Sequence, residues 1–365
     1  MGDGYLPNQE EEKRLERNKD IRRILWNAIY ILLTIGIIVV FGLLDRNVGN
    51  FFTQLGSLKA EWVFAAAGVM VLYWISEGEI LHFITGFLYK GYSRWKTFKI
   101  AMIGVYYSAL TPFASGGQPM QVMHMRRDGV PVGKSSSVFC AKFIMFEFVI
   151  CAFFIISLIF TGTQFFANYQ QVFWLTCIGF GINAILALIV ILALFSKGKM
   201  LLLGTRLIHF LHKIRLVKNP EKRIVSMAES LQDFSISGML LRSDRKLLIG
   251  SGLLTVTQMV VQFSITYCIY RATGLSTHSL FQVISMQAFL YLTVSFVPLP
   301  GASVASEGGF YLFFSMFFPS NKMFIAMLIW RFFTYYANII FGSFFVIYDS
   351  VHNLITKRHK LKKAS

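Results

Sequence analysis

The chain alternates long apolar runs with short polar connections, and the runs are long enough to cross a membrane. A helix rises about 1.5 Å per residue, so about 20 consecutive apolar residues span the hydrocarbon core of a bilayer. We therefore predict an all-α polytopic membrane protein. The pattern predicts six full spans, at Ile24–Leu44, Trp62–Tyr89, Ser136–Phe160, Val172–Phe195, Leu247–Tyr270 and Met323–Tyr348.

Two further apolar stretches are interrupted by proline and glycine. The first, Ile100–Arg127, contains TPFASGGQP at Thr111–Pro119, and the second, Ser279–Phe318, contains VPLPGASVASEGG from Val297. Proline removes a backbone donor and clashes with the preceding helical turn. Backbone groups freed at membrane depth must then be buried in protein or line a wet cavity. Each stretch is predicted to be a broken re-entrant hairpin of two half-helices, which makes about eight membrane segments.

The order of these segments predicts an inverted repeat. Residues 24–160 and 172–348 each contain two spans, a broken hairpin and a third span, and the hairpins enter from opposite faces. Secondary transporters with this architecture bind substrate between the two repeats at mid-membrane. The spacing is similar, because Pro112 lies 24 residues before Ser136 and Pro300 lies 23 before Met323. A plain bundle of eight spans with two kinked helices is the alternative.

The charge pattern predicts an orientation in the membrane. The chain is 55% hydrophobic with a formal charge of +17, but Lys and Arg cluster beside the membrane segments. This is the positive-inside pattern and does not indicate nucleic-acid binding. It places residues 1–23, the loop 196–246 and the tail 349–365 on the cytoplasmic side of the membrane. Helical spacing at Met200–Ile214 and Glu221–Phe234 predicts helices that lie on the inner surface or pack on the bundle.

Charged side chains inside predicted membrane segments are candidate site residues, because each costs about 2.5–3.5 kcal/mol on insertion scales. They are Glu77, Glu79, Lys142, Glu147, Glu307 and Arg331. Lys142 and Glu147 are five apart, about 140° around a helix, so each is expected to find a partner elsewhere. The fork of Arg331 suits a phosphate, and Glu307 would neutralise Arg331 or bind a cationic group or proton. In the alternative, these charges lock the bundle through buried pairs.

Residues of the two interruptions complete the candidate substrate-binding set. They are Gly116, Gly117, Gln118, Pro300 and Gly301. Backbone N–H groups at the start of a half-helix attract anions, and glycine lets a ligand come close. Close helix packing through small residues is the alternative for the glycines.

Several catalytic signatures are excluded by their spacing. DGVPVGKS at Asp128–Ser135 has three residues between its glycines where a phosphate-binding loop has four. The seven histidines show no metal-ligand spacing, and the four cysteines lie in apolar segments without a CxxC pair. We therefore expect no catalytic residue, no cofactor and no metal.

Three motifs, TPFASGGQPMQ, PLPGASVASEGG and WRFFTYY, together resemble the transmembrane flippase domain of the lysylphosphatidylglycerol synthases. These bacterial antibiotic-resistance factors aminoacylate a membrane lipid and flip it outward, and many relatives of the domain stand alone. The resemblance covers roughly Ile24–Tyr348. It implies that Glu307 and Arg331 match the polar positions of the family's second half. It also implies that the interruption in the family's first half corresponds to Pro112, Gly116, Gly117 and Pro119.

The resemblance implies a lipid translocase. The expected substrate is a membrane phospholipid, an aminoacyl-phosphatidylglycerol or a glycolipid, moved between leaflets. We expect no transferase domain in this chain and therefore no enzyme activity of its own. Two alternatives remain open. One is a membrane component of phosphatidylglycerol lysyltransferase activity working with a separate lipid-modifying enzyme, and the other is a scaffold for envelope lipid or glycan synthesis.

Overall fold

The computed structural model describes residues 51–166, 170–195, 197–213 and 219–349. The predicted first span, Ile24–Leu44, and the basic tail beyond residue 349 lie outside the described residues. Every regular element within those ranges is helical, which confirms the all-α class. Four of the described helices are apolar and long enough to cross a membrane: Ala60–Leu88, Val132–Gly162, Arg245–Ala272 and Ser320–Asp349.

Twelve helices are numbered here along the described part of the chain. They are α1 Phe51–Gly56, α2 Ala60–Leu88, α3 Arg94–Leu110, α4 Gly117–Arg127, α5 Val132–Phe166, α6 Gln170–Phe195, α7 Lys197–Lys213, α8 Pro220–Ser243, α9 Arg245–Ala272, α10 Leu280–Val294, α11 Ala305–Phe314 and α12 Ser320–Asp349. The last helix becomes π-helical at Phe332–Tyr336 and then continues as an α-helix.

The centre of the bundle is formed by α2 and α9, which pack along their length, with α5 beside both and α10 against α5, α6 and α9. The buried residues of α2 recur at helical spacing, as Ala66, Met70 and Tyr73 do. Its opposite side is also apolar, and Phe64 there is 77% exposed. A helix that is apolar all round is typical of a span with one side toward lipid.

Both predicted interruptions are present, and they have the same local backbone. We call Thr111–Gly116 the first break and Leu299–Val304 the second break. In each, a proline opens a 3-10 turn, Pro112–Ala114 and Pro300–Ala302. The residue after the proline has φ 56° and ψ 19° in the first break, and φ 58° and ψ 21° in the second. The two turns contact each other, so the two hairpins, α3–α4 and α10–α11, meet at their breaks.

Helix boundaries differ from the prediction in three places. The loop predicted at Thr161–Gln171 is mostly helical, because α5 continues to Phe166 and α6 begins at Gln170. The first half-helix begins at Arg94, since the Ser93 hydroxyl accepts a hydrogen bond from the Lys96 backbone N–H (3.3 Å) and caps the helix. The second loop helix, α8, runs past its predicted end to Ser243.

The two loop helices have different surroundings. α8 packs on α5 and α6, which favours the packed arrangement for this helix, whereas α7 contacts mainly α8 and leaves Leu203, Leu207 and Phe210 exposed. The count of eight segments and the inverted repeat stay predictions, because the first span lies outside the described residues.

Candidate functional site

Arg331 and Glu307 meet at the second break. The Nε of Arg331 lies 2.7 Å from Oε1 of Glu307, which sits in the first turn of α11. The same guanidinium donates through Nη2 to the Gly301 carbonyl (2.9 Å) and to the Ser303 hydroxyl (3.1 Å). Its Cζ lies 4.3 Å from the centre of the Tyr335 ring. Arg331 therefore joins α12 to the tip of the second hairpin.

The backbone on both sides allows this close approach. Gly301 has a left-handed φ of +58°, and a Cβ there would collide with the Tyr335 ring. The ring belongs to the π-helical stretch that begins directly after Arg331. A π-bulge re-aims the residues beside it and is frequent at functional sites. The sequence did not predict this stretch.

The pair is sealed in this conformation. The side chains of Arg331 and Glu307 are only 4% and 0% exposed. The buried-pair alternative therefore describes the geometry seen here. Within the described residues, however, neither carboxylate oxygen of Glu307 accepts a hydrogen bond of good geometry, despite the short distance. The two carboxylate oxygens of Glu307 can therefore still accept hydrogen bonds from another group.

A second charged pair lies between α2 and α5. Lys142 forms an ion pair with Glu77, so Lys142 finds its partner on another helix, as predicted. The Tyr73 hydroxyl donates weakly to the other oxygen of Glu77, at 3.5 Å. The Lys142 and Glu77 side chains are 20% and 13% exposed, so this pair is more accessible than Arg331 and Glu307. Glu79, in contrast, faces Arg94 at 3.8 Å and is well exposed.

Glu147 has a different environment, although it is on the same helix as Lys142. It is only 4% exposed, and its Oε2 has no hydrogen-bond partner among the described residues. The Tyr291 phenol on α10 lies within electrostatic range of both Glu147 and Glu77. The structure therefore brings Glu77 and Lys142 together. Glu147 was also predicted to find a partner on another element, but it forms no ion pair with any described residue.

The glycines of the first break have packing roles in this conformation. The Gly116 N–H donates to the Thr111 hydroxyl (2.8 Å). A Cβ on Gly117 would collide with Ser108 and lie 2.8 Å from the Gly104 carbonyl, so this glycine lets α3 and α4 approach. The Gln118 side chain is exposed at the start of α4.

Sequence reasoning missed a third cluster, at the polar end of the first hairpin. One oxygen of Asp349, the last described residue of α12, lies 2.6 Å from Lys99 Nζ, and the other lies 2.9 Å from His124 Nδ1. Burial lowers the pKa of His124, and the Asp349 carboxylate opposes that shift. The available signal was weak, because Asp349 follows the predicted end of the last span and resembles a solvated tail residue.

The chain is similar to known membrane proteins. Residues 27–342 match the family model described as the lysylphosphatidylglycerol synthase TM region. The chain belongs to this family. A UPF0104 membrane protein of Archaeoglobus fulgidus is 23% identical over 313 residues, which is 82% of this chain and 90% of that protein. The part of the chain that matches the synthase TM family includes both hairpins, both breaks and the Arg331–Glu307 pair.

Proposed function

We propose that this protein is a lipid translocase that moves a polar-headed lipid between the leaflets of a cell membrane. The observation that carries the proposal is the meeting of two strained breaks inside an apolar bundle. All four non-glycine residues with positive φ in the described ranges lie at these breaks: Phe113, Ala114, Ala302 and Val304. Such conformations cost about 1–3 kcal/mol each and concentrate at functional sites. Non-helical backbone at membrane depth is tolerated only where it is buried in protein or lines a water-filled cavity, which is consistent with a pathway at the breaks.

The polar head of the lipid would pass between the two hairpins. Arg331 would exchange the Gly301 carbonyl and the Ser303 hydroxyl for phosphate oxygens, which its fork can bind in pairs. Because Arg331 is buried, this exchange requires the second break to move away from α12. Phe113 of the first break and Gln118 just after it are exposed, so the first break would form the accessible edge of the route.

The accessible pair on α2 and α5 would meet the lipid first. Glu77 and Lys142 form a partly exposed pair of opposite charges, which would suit a zwitterionic or aminoacylated head group. Membership in the lysylphosphatidylglycerol synthase TM family supports a phosphatidylglycerol-type lipid, an aminoacyl form of it or a glycolipid as substrate. The sequence shows no nucleotide-binding motif, so we propose that an ion gradient, a partner protein or the lipid's own distribution drives the movement.

The proposal is tested by reconstituting the protein in vesicles with fluorescent phosphatidylglycerol and measuring how much label an external quencher reaches over time. We expect wild type to exchange label faster than empty vesicles, and Arg331→Ala and Glu307→Gln to slow the exchange. Arg94→Ala is the matched control, because Arg94 is 75% exposed and distant from the breaks. A wild-type rate equal to that of empty vesicles would show that the translocase proposal is wrong. Equal rates in wild type and both site variants would remove the roles of Arg331 and Glu307.

A further inference from the structure

Glu147 lies at the centre of a membrane span. The span Val132–Gly162 has 15 residues on either side of it, 132 to 146 and 148 to 162. Its side chain points into the bundle, where it is 4% exposed, and one carboxylate oxygen has no partner in the described part of the chain. An acid at mid-membrane is costly, and no described residue neutralises this one through an ion pair.

Within the part of the chain that the structure describes, the ionisable groups known to interact with Glu147 do not include a cation. Tyr291 faces it from α10, and Cys151 lies one turn further along α5. Lys142 is on another side of α5 and is held by Glu77 of α2, whose neighbour is Tyr73. Among the described residues, no ion pair joins Glu147 to a charged group of α4, α6, α8 or α9.

Three kinds of ligand could neutralise a buried carboxylate, and two of them do not fit. A metal ion needs several ligands, and no group of three His, Cys, Asp or Glu side chains suited to one occurs in the described residues. A lipid head group is too large for a side chain sealed by its neighbours. A proton needs no room and removes the cost of the buried charge.

We propose that Glu147 binds a proton inside the membrane and that its loading and release drive lipid movement. The second half of this inference rests on the proposed translocase activity. Protonated Glu147 is neutral and fits the sealed position. Loss of the proton leaves an anion that this position does not stabilise, so α5 and α10 must shift to expose the carboxylate or bring it to a cation. Lys142 is on another side of the same helix and is paired with Glu77, so a shift of α5 carries it along and does not bring it to Glu147.

The proton site is tested without any transport measurement. Dicyclohexylcarbodiimide reacts with protonated carboxyls in apolar surroundings, and mass spectrometry of the reconstituted protein identifies the modified residue. We expect Glu147 to be modified at acidic pH and progressively less at alkaline pH, while Glu77, which forms an ion pair with Lys142, stays unmodified. Absence of modification at every pH would overturn the proton site. Protection by sodium at constant pH would also overturn it, because a metal cation would then be the ligand.

The coupling is tested in the lipid-exchange vesicles with an imposed pH gradient and the membrane potential clamped. In wild type we expect the gradient to bias the final distribution of labelled lipid between leaflets. Glu147→Gln keeps the shape but cannot titrate, so we expect the bias to be lost. Glu61→Gln is the control, since Glu61 is an exposed acid at the start of α2.

The outcomes separate the two proposals. Lipid exchange with a bias that survives in Glu147→Gln would overturn the coupling and leave the translocase proposal intact. No lipid exchange by wild type would overturn both the translocase proposal and the coupling, whereas carbodiimide modification of Glu147 would still establish the proton site.

Discussion

The first and second breaks share a backbone but differ in what surrounds them. Both contain Pro-x-Ala-Ser, and both have the same left-handed residue after the proline. Yet Phe113 is 56% exposed in the first break, whereas Gly301 in the second lies under the Tyr335 ring. The motif therefore determines the backbone conformation of the turn, and the neighbouring helices determine whether the turn is exposed or packed against another side chain.

The hairpins are also tied to α12 at different points. The second hairpin is tied at its tip, where Arg331 holds the Gly301 carbonyl. The first is tied at its base, where Asp349 contacts Lys99 of α3 and His124 of α4. A shift of α12 would therefore act on the tip of one hairpin and on the base of the other.

Removal of the Arg331 contacts at the second break should have the largest effect on the free energy of unfolding. Arg331→Met leaves the buried Glu307 charge unpaired, which typically lowers the free energy of unfolding by about 3–5 kcal/mol. We expect a clear fall in the thermal unfolding temperature in detergent. The double variant Arg331→Met with Glu307→Gln should be more stable than Arg331→Met alone, because no charge is left buried. Equal losses in the single and double variants would show that the pair is not held by its charge.

The next effect tests the close approach at Gly301. Gly301→Ala adds a Cβ against Tyr335 at a left-handed φ, and we expect it to cost about 1–3 kcal/mol of unfolding free energy. Gly86→Ala is the control, because nothing lies near a Cβ added at this position in α2. It should stabilise the protein by about 0.5–1 kcal/mol, and both are measured by thermal unfolding. An unchanged unfolding temperature in Gly301→Ala would mean that the second break can relax away from α12.

The tie at the base of the first hairpin should depend on pH. Because burial lowers the pKa of His124 in the folded state, the unfolded state takes up a proton first as the pH falls. The contribution of His124 to the free energy of unfolding is therefore fully present above the ordinary histidine pKa of about 6.5, and it is lost as the pH falls below that value. Unfolding temperatures measured across this range should fall less in His124→Gln than in wild type. A larger fall in the variant would mean that the Asp349 attraction dominates over burial.

The smallest effect is expected at the exposed turn. Phe113→Gly relieves a left-handed conformation but makes the unfolded chain more flexible, so we expect a change of less than about 1 kcal/mol in the free energy of unfolding. Phe113→Gly gives the first break the glycine that the second break has at Gly301, where the change to alanine is expected to be costly. A loss in Phe113→Gly as large as in Gly301→Ala would show that both breaks are equally constrained.

Much of the fold could be predicted from local sequence rules. Pro112 and Pro300 marked the breaks, because a proline cannot continue a membrane helix without freeing backbone groups. The separation of Lys142 and Glu147 around one helix correctly predicted that Lys142 pairs with another helix. The position of Asp349 was not predicted, because its partners lie far away in the sequence, on α3 and α4.

The amino-acid sequence by itself determined that this is a helical membrane protein with two interrupted segments, because hydrophobic length and proline act within a single segment. Tertiary structure alone decided that Arg331 closes on the second break, that the π-helical stretch brings Tyr335 over Gly301, and that Glu147 forms no ion pair with any described residue. Those outcomes depend on how helices distant in the sequence pack against one another, and side-chain spacing along one helix carries no information about that packing.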